Sequence, residues 1–570
     1  MAPTCQPSLE GPRSGVETKA EGDQTVNSEN LNGWRKLPLI AIAFGISLIS
    51  SLAVAIAPAS ASSATILLSK ASGPPSSTIT VTGTGFAPST GITVTFNGTP
   101  SATATTDISG AFTATVTVVK TTPPRTYPVV ASDSFNTSSA PFIVRTNWTT
   151  FHFSDTGTGV NPYENILNAG NAHSLTAFGT GTLSSGSTSD VLVGSSAVIY
   201  NGTVFVKGYY GHMYAFKQAC FATVKSCAPL WIAPAGGGQS EITVANGVVY
   251  VASASGSGFS AYSATGSSTY CSGTAPKICK PEWIGSTPFD GANEEEGLTV
   301  TGATVFFTGG GSHRYLYAFN TKPTAANCVT SVAGLQTCSP LWSGHVGYDI
   351  AQGVSVSGGL AYVSADHLYA FNVASSPSYC STSAGATTCN PVWTGSTTAG
   401  GGEPVISGGK VYTTTNNGIL TEFPVGGGGA NCTGPASARV CSPLWSTPIA
   451  TAYMTPAISN GMIYAAGYQS YLNVLNASTG ALLWSSDQNA IGQWSTPTVA
   501  NGVVYTSDFF GSLRAYSATK TASCTGTVPV CLPLWTSTQT HIAQSTPVVV
   551  DGTVYVTSGQ MGNKVQAFHT

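Results

Sequence analysis

The amino-acid sequence predicts an all-β protein, an eight-bladed β-propeller preceded by a smaller β-sandwich, and three observations carry that prediction. A phrase of the form Cys-x-Pro-x-Trp recurs six times between residues 227 and 535. A second phrase, alternating β-branched residues around a two-residue turn, recurs eight times, the pattern of a β-hairpin. The composition agrees: 65 glycines and 10% aromatics against only 8% charged residues suit short strands joined by tight turns, not helical bundles.

At 570 residues the chain is too long for one ordinary domain. Residues 1–36 are a polar extension without a folding pattern. Arg35-Lys36 then precedes an apolar run from Leu37 to Ala57, followed by Ala59-Ser60-Ala61, which has the small-x-small form of a signal-peptidase site. Residues 37–61 are therefore expected to be a signal peptide. An uncleaved membrane anchor is the alternative, since the run is about long enough to span a bilayer; Pro38, Gly45 and the serines at 47, 50 and 51 interrupt it. Export to the medium or cell surface is the expected consequence, with membrane attachment only if the segment stays uncleaved. The formal charge is −3, with no Lys/Arg cluster beyond Arg35-Lys36, so the basic footprint of a nucleic-acid binder is missing.

Cysteine usage agrees with export. Of 13 cysteines, Cys5 precedes the apolar run and the other twelve form six local pairs: Cys220/Cys227, Cys271/Cys279, Cys328/Cys338, Cys380/Cys389, Cys432/Cys441 and Cys524/Cys531. Regular pairs in an exported chain read as disulfides. Zinc sites prefer two to four intervening residues and a second pair or histidines nearby, neither of which is present.

Residues 64–146 read as a separate module. "STITVTGTGFAPSTGITVTFNGTP", "TTDISGAFTATVTV" and "APFIVRT" supply six or so short alternating strands with Gly, Asn-Gly and Pro turns, as an immunoglobulin-like β-sandwich would. Residues 147–174 are a linker leading into the propeller, expected at 175–570.

Within that region each cysteine pair ends on a tryptophan strand: Trp231, Trp283, Trp342, Trp393, Trp445 and Trp535, with Trp484 in a seventh, cysteine-free copy. The spacings are 52, 59, 51, 52, 39 and 51 residues. The cysteine hairpin is thus an insertion into a unit of about 40 residues, the length of a four-stranded blade. The hairpin phrase recurs at Asn201-Gly202, Asn246-Gly247, Thr301-Gly302, Gly358-Gly359, Gly408-Gly409, Asn460-Gly461, Asn501-Gly502 and Asp551-Gly552. A third phrase, "MYAF" at 213–216 and "LYAF" at 316–319 and 368–371, supplies the next strand. Eight hairpins face seven tryptophan strands. The missing outer strand is expected from "LTAFG" at 175–179, with Phe178 in the tryptophan's place, which would tie the ring shut and remove its open edges. The tryptophans recur at one strand position and are expected to pack between blades, each burial being worth on the order of a few kcal/mol.

The repeat, best preserved at 460–484 as "NGMIYAAGYQSYLNVLNASTGALLW", resembles the PQQ-like, or quinoprotein alcohol dehydrogenase-like, β-propeller repeat, and Gly159-Val-Asn-Pro-Tyr-Glu164 resembles the segment that often leads into such repeats. The 64–146 region, with its "VTGTGFAP" phrase, is similar to bacterial Ig-like modules, which imply spacers or adhesive units. Many propellers of this superfamily are scaffold or binding proteins, outer-membrane assembly factors among them. The quinone-dependent dehydrogenases of the fold carry two adjacent cysteines against the cofactor and a Glu, Asn and Asp set around calcium. No two cysteines are adjacent in this sequence, and no catalytic residue or cofactor is predicted.

Site candidates come from position. The residue five places ahead of each turn is expected at the channel mouth, where Glu241, Glu296 and Glu403 stand in three units and Thr455, Thr496 and Thr546 in later ones. With Glu294 and Glu295 nearby, these carboxylates are candidates for a calcium ion held by oxygen ligands; solvated loop acids are the simpler reading. His212, His313 and His367 precede "YAF" strands and read as turn residues. The disulfides are expected on the opposite, turn-bearing face. The function expected is that of an exported, monomeric, non-enzymatic platform for a protein or cell-wall polysaccharide; the alternative is a quinone- or metal-dependent oxidoreductase acting at the channel mouth.

Overall fold

The computed structural model describes residues 63–570 apart from short segments at 186–187, 191, 254–257, 289–294, 310–313, 348–352, 399, 436–437, 450–453, 467–470, 488–494, 509, 521–522, 539–544 and 559–561. The segments expected at 1–36 and 37–61, together with Glu294 and His313, lie outside the described residues. The described residues contain strands, turns and two 3-10 turns, and no α-helix.

Residues 65–144 form two sheets, one of three antiparallel strands and one of five, antiparallel except where Ser72–Gly73 pairs in parallel with Thr137–Val144. Alternation does the work here: Thr78–Thr84 and Phe112–Thr117 bury every second residue, and Ile79, Val81, Val94, Val116, Val129 and Phe142 meet in one core. Tyr127 donates its hydroxyl to the Pro123 carbonyl at 3.0 Å.

Beyond residue 175, the described residues contain eight antiparallel meanders of four strands, which form a β-propeller. Each begins with a short inner strand and turns back through the two-residue hairpin. Asn201, Asn246, Asn460, Asn501 and Asp551 have φ between 43° and 53° and are followed by a glycine of positive φ, the type I′ geometry that suits twisted strands. One turn differs from the sequence expectation. Thr301 pairs with Thr304, so the turn is Gly302-Ala303 rather than Thr301-Gly302. Glycine comes first because only the first central position has positive φ.

The ring closes across its ends: Thr176–Thr182 pairs antiparallel with Lys564–His569. Phe178, however, does not occupy the tryptophan's place. In other blades the residue two past the tryptophan faces the second cysteine of a docked hairpin, as Gly285 faces Cys338 and Gly395 faces Cys441. Gly181 holds that position opposite Cys227, which puts Gly179 at the tryptophan register and turns Phe178 aside against His569. A Cβ on Gly179 would lie 2.4 Å from the Phe221 backbone. Fully buried Phe221 instead stacks edge-on to Tyr555, ring centroids 5.6 Å apart, as Trp283 stacks on Tyr250 at 6.1 Å. The last blade thus borrows its outer aromatic from the next unit's cysteine loop.

All six expected disulfides form, Cys220–Cys227, Cys271–Cys279, Cys328–Cys338, Cys380–Cys389, Cys432–Cys441 and Cys524–Cys531, but not on the turn-bearing face. Each cysteine hairpin crosses to the preceding blade and adds in parallel to its outer strand: Lys277 faces Trp231, Gln336 faces Trp283, Thr388 faces Ser343, and Val530 faces Ser485. The insertions therefore line the rim, where they cover the exposed edges of the outer strands.

The second cysteine of each pair, Cys227, Cys279, Cys338, Cys389, Cys441 and Cys531, is at most 4% exposed. Each sits in a core cluster with the outer aromatic of the blade it crosses to: Cys389 with Trp342, Cys279 with Trp231, Cys338 with Trp283, Cys441 with Trp393, Cys531 with Trp484 and Cys227 with Phe221. A half-cystine behaves as a small apolar group, so docking the hairpin buries its sulfur against the ring as well as pairing its backbone.

Candidate functional site

The linker expected at 147–174 is the floor of the channel. Residues 148–161 run round the axis in blade order and bond the innermost strand of every meander. Trp148 bridges Ile199, and the Val244 amide donates to the Thr149 carbonyl at 2.7 Å. Thr301 donates its hydroxyl to Asp155. The Val356, Ile406, Ile458 and Val499 amides donate to the carbonyls of Asp155, Thr156, Thr158 and Gly159 at 2.6 to 2.9 Å. Asn161 Nδ2 closes the circuit on the Val549 carbonyl at 2.7 Å. Inner strands lack a neighbour toward the axis, so their inward amides need such partners. Gly157 and Gly159 adopt φ of 63° and 67°, and a Cβ on Gly159 would lie 2.9 Å from that of Ala457; the belt turns where only glycine fits.

Above the belt stand two of the three predicted glutamates. Glu403 is 4% exposed; its Oε1 accepts the Ser355 hydroxyl at 2.9 Å, while Oε2 has no hydrogen-bond partner among the described residues. Burial pushes its carboxyl up to about 8, against the pull of the Ser355 bond. Burial also drives Glu241 well above the usual carboxylate range, and repulsion from Glu403 adds to it. Glu296 does not join them at the same level. Its backbone pairs with Ser240, which leaves Gly297 at the level of Glu241; the one-residue slip is the consequence of the Gly302-Ala303 turn. Among the described residues no group of three or more His, Cys, Asp or Glu side chains is placed to hold a metal ion.

On the floor, fully buried His152 points Nδ1 at the Gly157 carbonyl, 3.0 Å away. A carbonyl only accepts, so Nδ1 carries the proton and Nε2, which has no partner among the described residues, the lone pair. Burial holds its pKa down to about 4. His212 and His367, expected in turns, are instead the first residues of the strands His212–Lys217 and His367–Asn372: His212 Nδ1 lies 3.0 Å from buried Asp190 Oδ2, and His367 Nδ1 lies 3.1 Å from the Thr397 carbonyl.

The tryptophans divide by what covers them. Trp231, Trp283, Trp342, Trp393 and Trp484 are at most 3% exposed, and each lies on an outer strand that carries a docked hairpin. Trp445 and Trp535 are only half-buried, and neither strand carries one. Beside Trp535 the gap is filled by the lead-in segment, whose Leu167, Ala172 and Leu175 pack with Ala515 and Trp535. Between the Trp445 unit and the next lies a cleft of about 580 Å³ lined by Lys410, Tyr412, Glu422, Asn460 and Asn476 among others. Glu422 Oε2 accepts the Trp445 indole N–H at 2.7 Å, and Oε1 lies 3.1 Å from Lys410 Nζ. Sequence reasoning missed this pair, although "LTEF" breaks the "LYAF" phrase at the glutamate.

Residues 437–569 match the family described as outer membrane protein assembly factor BamB. No curated protein matches the chain by sequence. Among solved structures, BamB from Moraxella catarrhalis is similar at 10% identity over 70% of this chain and all of that one, TM-score 0.47. A europium-containing methanol dehydrogenase is similar at 11% identity over 74% of this chain and 98% of that one, TM-score 0.50. Quinohemoprotein alcohol dehydrogenase from Comamonas testosteroni is similar at 11% identity over 74% and 80%, TM-score 0.49. The family match at residues 437–569 and the fold shared with the methanol dehydrogenase are consistent with a PQQ-like β-propeller.

Proposed function

We propose that the chain is an exported binding or scaffold protein whose propeller presents a stiff surface to another protein or a cell-wall polymer. The observation that carries this reading is the belt at 148–161, which occupies the turn end of the channel with the chain's own backbone and ties all eight inner strands together. A ring held inside by a belt and outside by six disulfides resists deformation, which lowers the ordering cost of binding at its surface. The family description matched by residues 437–569, an assembly factor, is in keeping with a platform for protein contacts.

The finer reading is a single closed ring of eight blades, one per four-stranded meander, acting as a monomer. Residues 37–61 are a signal peptide that sends the protein to the cell surface or medium. Residues 64–146 are an immunoglobulin-like spacer; the Tyr127 hydroxyl bonding four residues back is in keeping with the tyrosine corner of such sandwiches.

The test pairs two measurements on the purified chain: capture of partners from envelope extracts, and titration with quinone and calcium alongside dye-linked oxidation of alcohols and sugars. The expected result is a partner retained in fixed stoichiometry with no quinone spectrum and no turnover. Saturable quinone binding with turnover would instead favour the oxidoreductase reading, centred on Glu241 and Glu403.

A further inference from the structure

Seven of the eight outer-strand edges are covered by the chain itself, six by disulfide hairpins and one by the lead-in segment. The eighth, Trp445–Pro448, has no strand beside it among the described residues. The cause is local: the following unit closes with the tight turn 476–480 where other units insert a cysteine hairpin. The same blade departs from its own repeat at two further positions. Residues paired with the tryptophan are alanine in five blades, namely Ala215, Ala261, Ala318, Ala370 and Ala515, and Val474 in a sixth; opposite Trp445 stands Glu422. Its ion-pair partner Lys410 stands where the other hairpins have Thr, Val, Leu or Met.

We propose that the Trp445–Pro448 edge is a docking site for an extended polypeptide strand of a partner protein, added in parallel and carrying a Lys or Arg opposite Trp445. The inference deepens the binding-protein reading and rests on it. The occupant's chemistry is read from the chain's own hairpins, which show the interaction at equivalent edges. The residue facing the tryptophan position is basic in three of the six hairpins, Lys277 over Trp231, Arg439 over Trp393 and Lys225 over Gly179, by the registers of their neighbours; the other three place Gln336, Thr387 and Pro529 there. Lys277 Nζ and Arg439 Nη1 each donate, at 3.1 Å, to the carbonyl of a glycine, Gly266 or Gly427. Those glycines sit directly on the tryptophan ring, where an added Cβ would lie 2.5 and 2.2 Å from Trp231 and Trp393.

The uncovered edge keeps the same receptor. Gly480 likewise sits against Trp445, at the Cε3 edge of the indole where Gly266 and Gly427 meet Cδ1, a Cβ there lying 2.6 Å from the ring. Among the described residues its carbonyl accepts only the Thr447 hydroxyl, at 2.9 Å, and a carbonyl oxygen has a second lone pair to offer. Where hairpins dock, the residue after the tryptophan donates its amide, as Thr394 does to Arg439 and Ser485 to Pro529 at 2.9 and 3.0 Å; the equivalent donor here is the Ser446 amide. Two residues further on, Asp487 donates to Cys531, but the equivalent residue is Pro448, which has no N–H. The edge therefore accepts a short strand and refuses a long one, which restrains uncontrolled sheet growth. Main-chain pairing with side-chain pockets for specificity is a general mode of peptide recognition.

The test uses a disulfide-closed peptide with the sequence of residues 431–442, titrated calorimetrically into the purified full chain. Saturable one-to-one binding is expected, weakened at least tenfold when the peptide carries Arg439→Glu. A chain variant in which Ala481-Leu482 is replaced by the segment 267–281 would supply the missing hairpin in cis, and should lose at least tenfold in affinity. Ser446→Pro, which removes the docking amide alone, should do the same with unchanged circular dichroism. Absence of saturable binding, or affinity unchanged in both chain variants, would overturn the proposal. So would a groove that takes soluble cell-wall saccharides and not the peptide. If partners are still captured from extracts by the hairpin-filled chain, the platform reading stands and only this groove is rejected.

Discussion

Replacing Phe221 with alanine tests the borrowed aromatic at the ring closure. Phe221 is fully buried, seated on the Gly179 backbone, and edge-on to both Phe216 and Tyr555. Rigid neighbours on three sides cannot collapse into the space, so the loss combines the transfer term with a cavity and falls at about 3–5 kcal/mol. Phe178 provides the contrast. It is half-buried, with the His569 ring 5.2 Å away as its aromatic partner, and Phe178→Ala should cost roughly 1 kcal/mol. The assay is urea denaturation under non-reducing conditions, with limited proteolysis to locate the first cut. Phe221→Ala should lower the midpoint by several times the Phe178→Ala effect and expose cleavage sites near both chain ends of the ring. Equal effects, or a larger one at Phe178, would refute the register that puts Gly179 in the tryptophan's place.

Three further outcomes are expected. Replacing Cys271 and Cys279 with serine opens a loop of sequence separation 8, worth roughly 2–3 kcal/mol in the chain-entropy picture, and should make Trp231, 2% exposed in the intact protein, quenchable by acrylamide. Glu403 binds its proton more tightly folded than unfolded, its pKa being raised to about 8 by burial. The native state therefore holds more protons between its unfolded value and that pH, and stability must fall as pH rises through the interval; melting curves across that range should fall less steeply for Glu403→Gln. Gly159→Ala forces a side chain into a φ of 67° against Ala457, His152 and the Pro497 carbonyl, and should cost on the order of 1–3 kcal/mol, read as a lower melting temperature.

Local features were legible in the sequence because they depend on neighbours along the chain. The type I′ turns follow from Asn-Gly and Asp-Gly flanked by alternating β-branched residues, and the six disulfides from paired spacing. Strand exchange between "LTAFG" and the last unit followed from counting hairpins against tryptophans. The Phe178 assignment failed because a bulge between Ala177 and Thr180 shifts the register by one, and a bulge leaves no mark in a period-two pattern. Glu296 slipped for a related reason: Thr301-Gly302-Ala303 admits two turn positions, and glycine's freedom at the first central residue chose the second. The face assigned to the disulfides failed because pair spacing shows which cysteines join, as Cys380 joins Cys389, and carries no record of the blade that buries them.

What the sequence determined by itself, then, was the repeating unit: its hairpin, its tryptophan strand, its cysteine pair and the all-β class they imply. Tertiary structure alone decided where each piece lands. The cysteine hairpins cross to the preceding blade because outer-strand edges need partners; the linker becomes a belt because inward amides need acceptors. Trp445, written in the same phrase as five of its counterparts, is left half-covered only because the next unit lacks the insertion that would have covered it.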